Sequence, residues 1–264
     1  MNGILLVDKP AGITSHDVVD HARRRLGIQR IGHAGTLDPA ATGLLILLIG
    51  PATRQAADFQ GLDKNYRATL RLGETTDTQD SEGRILRRQE VPSFTSAQLE
   101  EVFARFRGEI EQEVPAYSAV RIQGKHSYEF ARAGVEVARP VRSVTIYDLK
   151  ILSVHLPDIE FEASCSKGTY IRTLCADIGE TLGCGGHLCQ LRRTRIGSYR
   201  IEDAVTLEEL QPGHLHSVHA SPPEADPPLA ETISARTEEA VRPEALEGER
   251  PATDRLSADR PCGD

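Results

Sequence analysis

The chain has 264 residues, of which 39% are hydrophobic and 27% charged, a composition that supports one or two globular domains with a sizeable core. No apolar run approaches the roughly 20 residues a membrane-spanning helix requires, which excludes a protein built on such spans. The net charge of −8 at first argues against a polyanionic partner, but residues 217–264 hold 11 acids and 5 arginines, so the body is near neutral and carries basic patches at Arg23–Arg25 with Arg30 and at Arg192, Arg193, Arg195 and Arg200.

In chain order, Gly3–Val7 is a short apolar strand, and the segment MNGILLVDKP has no basic stretch ahead of a long apolar run, so no secretory leader is expected. A cytoplasmic protein with reduced cysteines follows, since Cys165, Cys175, Cys184, Cys189 and Cys262 form no CxxC pair. Ser15 is placed to cap a helix reaching about Gly27, with Val18, Val19, Ala22 and Leu26 on one face. Leu44–Ile49 reads as a central strand, and Pro51 opens a short helix to about Gly61. Tyr66, Ala68, Leu70 and Leu72 alternate with polar residues as a half-buried strand. Thr95 and Gln98 form a capping box ahead of Leu99, Val102, Phe103 and Phe106. Val141–Val154 and Ile159–Ser164 are a strand pair broken at Pro157-Asp158, and Thr169 is placed to cap a helix with Ile171, Leu174, Cys175, Ile178 and Leu182 inward. Without a regular βαβ alternation, the fold class is α+β, a mostly antiparallel mixed sheet with flanking helices. The end of the chain holds seven of the 15 prolines after Ser217 and no aromatic residue, which predicts a disordered, acidic tail over 214–264 behind a catalytic body of 1–213.

The segment RIGHAGTLDPAATG, residues 30–43, is the most unusual. Its glycines let backbone approach a ligand closely, and Pro39 holds Asp38 extended just ahead of a buried strand. A carboxylate so placed can act on a ligand, although the local pattern alone favours a turn in which Asp38 merely bonds nearby backbone N–H groups. Cys184, His187 and Cys189 have no second half of a metal site, so no metal is expected and free thiols are the simpler reading.

Four segments in order, GILLVDKPAGITSHDVV, GHAGTLDPAATGLL, DKNYRATLRLGETTDTQDSEG and SKGTYIRTLCADIG, resemble the bacterial TruB-type tRNA pseudouridine synthases over about residues 2–200. The resemblance implies the pseudouridine synthase fold and isomerisation of uridine 55 in the tRNA T-loop, with no cofactor, no metal and no guide RNA, by a monomer. It implies Asp38 as the catalytic carboxylate, Arg172 as its partner and Tyr66 as the active-site tyrosine. A single acid suits this chemistry, because no water is activated and the leaving base stays bound; attack at C1′ and loss of a C2′ proton both remain open routes. For Arg172 the residues themselves add support: a cation in the first turn of a helix is disfavoured by roughly 0.3–1 kcal/mol. It also lies about 100° from the Ile171 stripe. A carboxylate across a cleft explains it better than solvent does. Tyr66 shares the apolar face of its strand, so a core role and stacking on uracil are compatible at the sheet's cleft end.

By the same resemblance, His33 assists extrusion of the target nucleotide, and Tyr170, Leu191 and Lys64 line the base pocket. Asp80 has a supporting or loop-ordering role, with an exposed acidic turn an equally good local reading. Lys125, Arg132, Arg192, Arg193 and Arg195 contact the RNA backbone, where charge and geometry suffice. Two departures stand out. Leu44-Leu45-Ile46 replaces the proline usual after ATG, and the tail shows no strand pattern for a PUA-type RNA-binding module, which predicts weaker tRNA affinity with retained chemistry. A protein that only binds RNA on this fold is the competing reading, and it has no need of Asp38, Tyr66 and Arg172 together.

Overall fold

The computed structural model describes residues 1–217 except 119, 123 and 136; the predicted tail lies almost wholly outside the described residues. β1 (Gly3–Lys9) leads into α1 (Ser15–Leu26), β2 (Ile31–Ala34) and β3 (Thr42–Ile49). A 3-10 turn and α2 (Ala56–Gly61) precede β4 (Lys64–Leu72), the short pair β5 (Glu74–Thr76) and β6 (Ile85–Arg88), α3 (Ser96–Ala104) and β7 (Gly108–Glu113). A small excursion holds β8 (Arg121–Ile122), β9 (Lys125–His126) and α4 (Ser127–Arg132). The long hairpin β10 (Val141–His155) and β11 (Asp158–Cys165) then leads to α5 (Ile171–Thr181), β12 (Gly186–Ile196) and β13 (Tyr199–Arg200).

The main sheet runs β1-β3-β12-β4-β11-β10-β7, with β2 also on β3 and β13 on β12. Its pairings are antiparallel except the short β3–β12 contact, Thr42 opposite Arg192 and Gly43 opposite Arg193. This is the mixed, mostly antiparallel α+β sheet expected. Leu44–Ile49 of β3 are all apolar because both faces of the strand are covered. Leu45, Leu47 and Ile49 pack with Val18, Val19 and Ala22 of α1, whereas Leu44, Ile46 and Leu48 pack with Phe59 of α2. A larger core lies farther along the sheet, where α3 and α5 cover β4, β10 and β11. There Phe103 meets Phe161 edge-on at 5.8 Å between centroids, both rings fully buried, each contributing on the order of 1.5–3 kcal/mol by burial.

Two expected caps are corrected. The Thr95–Gln98 box is present, but α1 is capped by Thr14, in a reciprocal box with Asp17; Ser15 turns inward instead. The N-cap of α5 is Tyr170, not Thr169, whose hydroxyl donates to the Ser166 carbonyl at 2.9 Å. Strands β2, β7 and β12 have no counterpart in the sequence reading, and β12 is an interior strand of the sheet. Beyond β13 the chain stays packed as far as His216, whose backbone pairs with Ile4 of β1.

Candidate active site

The edge of β3 facing away from β1 changes partner along its length. Ile46–Ile49 pair with β2, and Thr42 and Gly43 pair with β12. The connection from β2 back to β3, residues 35–41, therefore lies at a fork in the sheet, and it carries Asp38. Backbone groups at such a fork lack a ladder partner and need donors from elsewhere. Arg193 supplies them: it is 2% exposed, and its guanidinium donates to the carbonyls of Leu44 (2.8 Å), Gly35 (3.0 Å) and Thr36 (3.4 Å). Close approach of the strands here requires Gly43, at φ +100°, where a Cβ would stand 2.3 Å from the Arg193 carbonyl oxygen.

Two further groups fix the loop. The Ser15 hydroxyl accepts from the Leu37 N–H (2.9 Å) and donates to the Leu37 carbonyl (3.1 Å). Lys9, fully buried, donates to the carbonyls of Pro10 (2.9 Å), Pro39 (3.1 Å) and Ala41 (2.7 Å). Burial pushes the Lys9 amine down, against the opposing pull of Asp38. Asp38 is thus held from both sides by its backbone while its side chain stays 44% exposed toward a cleft of about 540 Å³, a size within the range of small-ligand sites.

Arg172, in the first turn of α5, faces Asp38 across that cleft. One guanidinium nitrogen, Nη2, lies 3.7 Å from Asp38 Oδ2, and Nη1 lies 3.6 Å from Asp80 Oδ2. Both are ion pairs longer than hydrogen bonds. Nη2 also donates to the Tyr117 carbonyl at 2.8 Å, and the guanidinium lies 5.8 Å from the centre of the Tyr170 ring. The side chain is 8% exposed. Two carboxylates offset the unfavourable position of a cation at a helix start. Of the two local readings for Asp80, the exposed turn does not hold: the residue is buried, and its Oδ1 accepts from the Thr78 hydroxyl and the Glu82 N–H.

The cleft brings together Asp38, Tyr66, Arg172, Tyr170, Leu191 and Lys64. Tyr66 is 8% exposed and belongs to the large core while also lining the cleft. Burial pushes its phenol up, so it keeps its proton at neutral pH and offers an O–H. Lys64 donates to the carbonyls of Gln60 (2.7 Å) and Leu62 at the end of α2, and burial with the nearby Arg193 charge brings its amine down to about 8. His33 is elsewhere: it lies on β2, half-buried, its Nδ1 enclosed without a hydrogen-bond partner, and burial lowers its pKa.

The five basic residues assigned to RNA backbone occupy different settings. Lys125 on β9 and Arg132 on α4 are exposed, with Arg132 over the Tyr128 ring at 5.4 Å. Arg192 makes a two-pronged pair with Asp8, at 3.0 and 2.7 Å. Arg195 is half-buried. Arg193 differs most from expectation, since it is spent beneath the loop on carbonyls and meets only the cleft wall. Cys184 is buried and Cys189 half-buried, and His187 Nδ1 lies 3.1 Å from the Glu74 carbonyl.

Sequence reasoning missed Lys9, Ser15, Tyr117 and Tyr128. For Lys9 the only signal is a lysine ending an apolar strand beside a proline. For the two tyrosines there is none, because the excursion between β7 and β10 has no apolar period to place it.

Comparison with known proteins supplies the context for this arrangement. Residues 23–171 match the family model described as TruB family pseudouridylate synthase (N terminal domain), and residues 172–233 match tRNA pseudouridylate synthase B C-terminal domain. The chain is similar to the tRNA pseudouridine synthase B of Syntrophotalea carbinolica, 49% identical over 80% of this chain and 69% of that one. It is also similar to that of Opitutus terrae, 46% identical over 80% of this chain and 88% of that one. Among solved structures it resembles a chain in a Cbf5-Nop10-Gar1 complex, with a TM-score of 0.63 and 31% identity over 79% of this chain. A second resembles it with a TM-score of 0.60 and 29% identity over 79% of this chain, in an H/ACA RNP bound to a substrate RNA containing 2'-deoxyuridine. The chain spans about half the length of these two solved chains, 53% and 52%.

Proposed function

The chain belongs to the TruB family of pseudouridylate synthases, and from that premise we propose that this isomerase converts uridine 55 in the T-loop of tRNA to pseudouridine, with Asp38 as the catalytic carboxylate. The observation that carries the reading is the ion-paired array of Asp38, Arg172 and Asp80 at a cleft that Tyr66 also lines. The everted uridine enters the cleft with its base against Tyr66 and its ribose toward Asp38. The C1′–N1 bond breaks with its electron pair leaving on the uracil, while the Asp38 carboxylate attacks or stabilises the electron-poor C1′. The uracil turns in place, C5 forms the new bond to C1′, and the carboxylate is released. The C5 proton is lost and N1 is reprotonated, so atoms balance as in any isomerisation.

Arg172 orients Asp38, and Asp80 anchors Arg172 from behind. Tyr170, Leu191 and Lys64 complete the base pocket. His33 acts outside the cleft, on extrusion of the nucleotide. Lys125, Arg132 and Arg195 carry phosphate contacts. Arg192 joins them only by releasing Asp8, and Arg193 only within the cleft. In this reading the enzyme works in the cytoplasm as a monomer without a guide RNA, and its catalytic body is residues 1–213.

The test is incubation of the protein with a tRNA transcript and mapping of pseudouridine, wild type against Asp38→Asn. Modification at position 55 by the wild type alone, with tRNA binding retained in the variant, is the expected outcome. Modification at another position refutes the assigned target. Activity in Asp38→Asn refutes the catalytic assignment, and tRNA binding without modification by the wild type identifies a binding protein instead.

A further inference from the structure

β7 is an edge strand of the main sheet, and its outward residues Glu109, Glu111 and Glu113 are exposed. Between the last two lies Gln112, 1% exposed. An edge strand that exposes three carboxylates has little reason to bury an amide for packing alone, since an apolar side chain fills such a place without desolvating a polar group. Both the nitrogen and the oxygen of the amide have a partner. Its Nε2 donates to the Tyr170 carbonyl at 3.2 Å, and its Oε1 accepts from the Tyr170 N–H at 3.0 Å.

Tyr170 is the N-cap of α5 and has no side-chain cap of its own. Its carbonyl also accepts the first helical bond, from the Leu174 N–H at 3.0 Å. Gln112 therefore grips both polar groups of the residue that sets where α5 begins. Two residues later stands Arg172, and Tyr170 itself lines the cleft. The same stretch of chain touches Arg172 again five residues beyond Gln112, through the Tyr117 carbonyl.

We propose that Gln112 is a positioning residue for catalysis: its amide clamp on the Tyr170 backbone fixes the first turn of α5 and thereby aims Arg172 at Asp38. This rests on the roles given to Arg172 and Asp38 above. Gln112 touches neither substrate nor reacting atoms. Its effect is geometric, and displacement of an orienting group by about 1 Å is enough to cost about 100-fold in rate.

The test compares single-turnover pseudouridine formation and tRNA affinity for the wild type, Gln112→Met, Gln112→Glu and Asp38→Asn. Gln112→Met keeps the shape and removes both hydrogen bonds. It is expected to lower the single-turnover rate by about 10- to 100-fold while the dissociation constant for tRNA changes less than threefold. Gln112→Glu is the discriminating variant. Ionised, it sets a carboxylate against the Tyr170 carbonyl; protonated, its carboxylic acid reproduces both the donor and the acceptor of the amide. Burial raises the pKa of such a group, so its rate relative to wild type is expected to climb as pH falls from 8 to 5.5, with no such climb for Gln112→Met. The charged side chains on the elements packed there, Glu111 and Glu113 on β7, Arg142 opposite on β10 and Arg172 and Asp177 on α5, are common to every variant compared.

A single-turnover rate for Gln112→Met within twofold of wild type overturns the proposal. So does an equal loss of rate and tRNA affinity in Gln112→Met. If Gln112→Met fails to fold, the Gln112→Glu ratio decides alone, and a flat ratio overturns the proposal. An active Asp38→Asn shows instead that the underlying assignment has failed.

Discussion

Replacing Lys9 by Met removes a buried ammonium of similar length and leaves the strand's packing in place. Three carbonyls, of Pro10, Pro39 and Ala41, lose a charged donor. Pro39 keeps the Gly12 N–H at 2.9 Å, so the loss falls mainly on the other two. A buried acceptor stripped of its partner costs about 1–3 kcal/mol. Against this stands the relief of no longer burying a charge, the same desolvation that lowers the Lys9 pKa. The net is a loss of about 2 kcal/mol, which for a folded unit of this size lowers Tm by about 4–8 °C. Catalysis is expected to suffer less. The loop around Asp38 keeps the paired Ser15–Leu37 hydrogen bonds, the Arg193 fork and the turn from the Ala41 N–H to the Asp38 carbonyl at 3.1 Å. Well below the lowered Tm, the isomerisation rate should stay within about tenfold of wild type, a difference of at most ~1.4 kcal/mol in the barrier. Thermal unfolding by circular dichroism and single-turnover kinetics at 20 °C check the two halves separately. An unchanged Tm, or a 100-fold rate loss at a temperature where the variant is fully folded, would refute the reasoning.

Three further outcomes follow from the geometry. Asp80→Asn retains the acceptor for Thr78 and Glu82 but removes the charge 3.6 Å from Arg172 Nη1; the single-turnover rate should fall at least tenfold, with a stability loss of about 1–2 kcal/mol, below the range for breaking a wholly buried pair. Asp177 is pushed up to about 6 by burial, then by Glu113 and Glu180. In the window from about 6 down to 3.8 the folded state holds the proton more tightly than the unfolded one, so this carboxyl weakens the fold above that window and not below it. Discounted for its partial exposure, Asp177→Asn should gain about 1 kcal/mol at pH 7, a gain that urea titrations should show vanishing below pH 4. Thr14→Ala removes the cap of α1 and should cost about 1 kcal/mol in urea unfolding while leaving the rate unchanged.

The elements legible in the sequence are those whose reasons are local. β3 is an unbroken apolar run, and the Thr95–Gln98 box needs only residues three apart. The cap of α1 expected at Ser15 falls one residue earlier, at Thr14, because Ser15 turns inward to Leu37 of the loop, a partner distant in sequence. β12 was hidden because its arginines do not alternate as a half-buried strand should. Arg193 is nonetheless inside, licensed by carbonyls near residues 35 and 44, far away in sequence. At the site, Asp38, Tyr66, Arg172, Tyr170, Leu191 and Lys64 converge on one cleft. The second anion on Arg172 was assigned only a supporting role because nothing local buries Asp80. The grip on the start of α5 comes from Gln112, 58 residues upstream of Tyr170.

The fork beside Gly43 has an implication for how the chain matures. Asp38 hangs from the strands built first in sequence, and Arg172 stands on a helix packed over the later ones, with the short register Thr42–Arg192 and Gly43–Arg193 and the Arg193–Leu44 hydrogen bond joining β3 to β12. If the proposed roles hold, a molecule that has assembled one side alone owns an acid without its guanidinium and is expected to be inactive. On the roles proposed for these two residues, turnover requires β12 in its place between β3 and β4, so that activity itself reports a closed sheet.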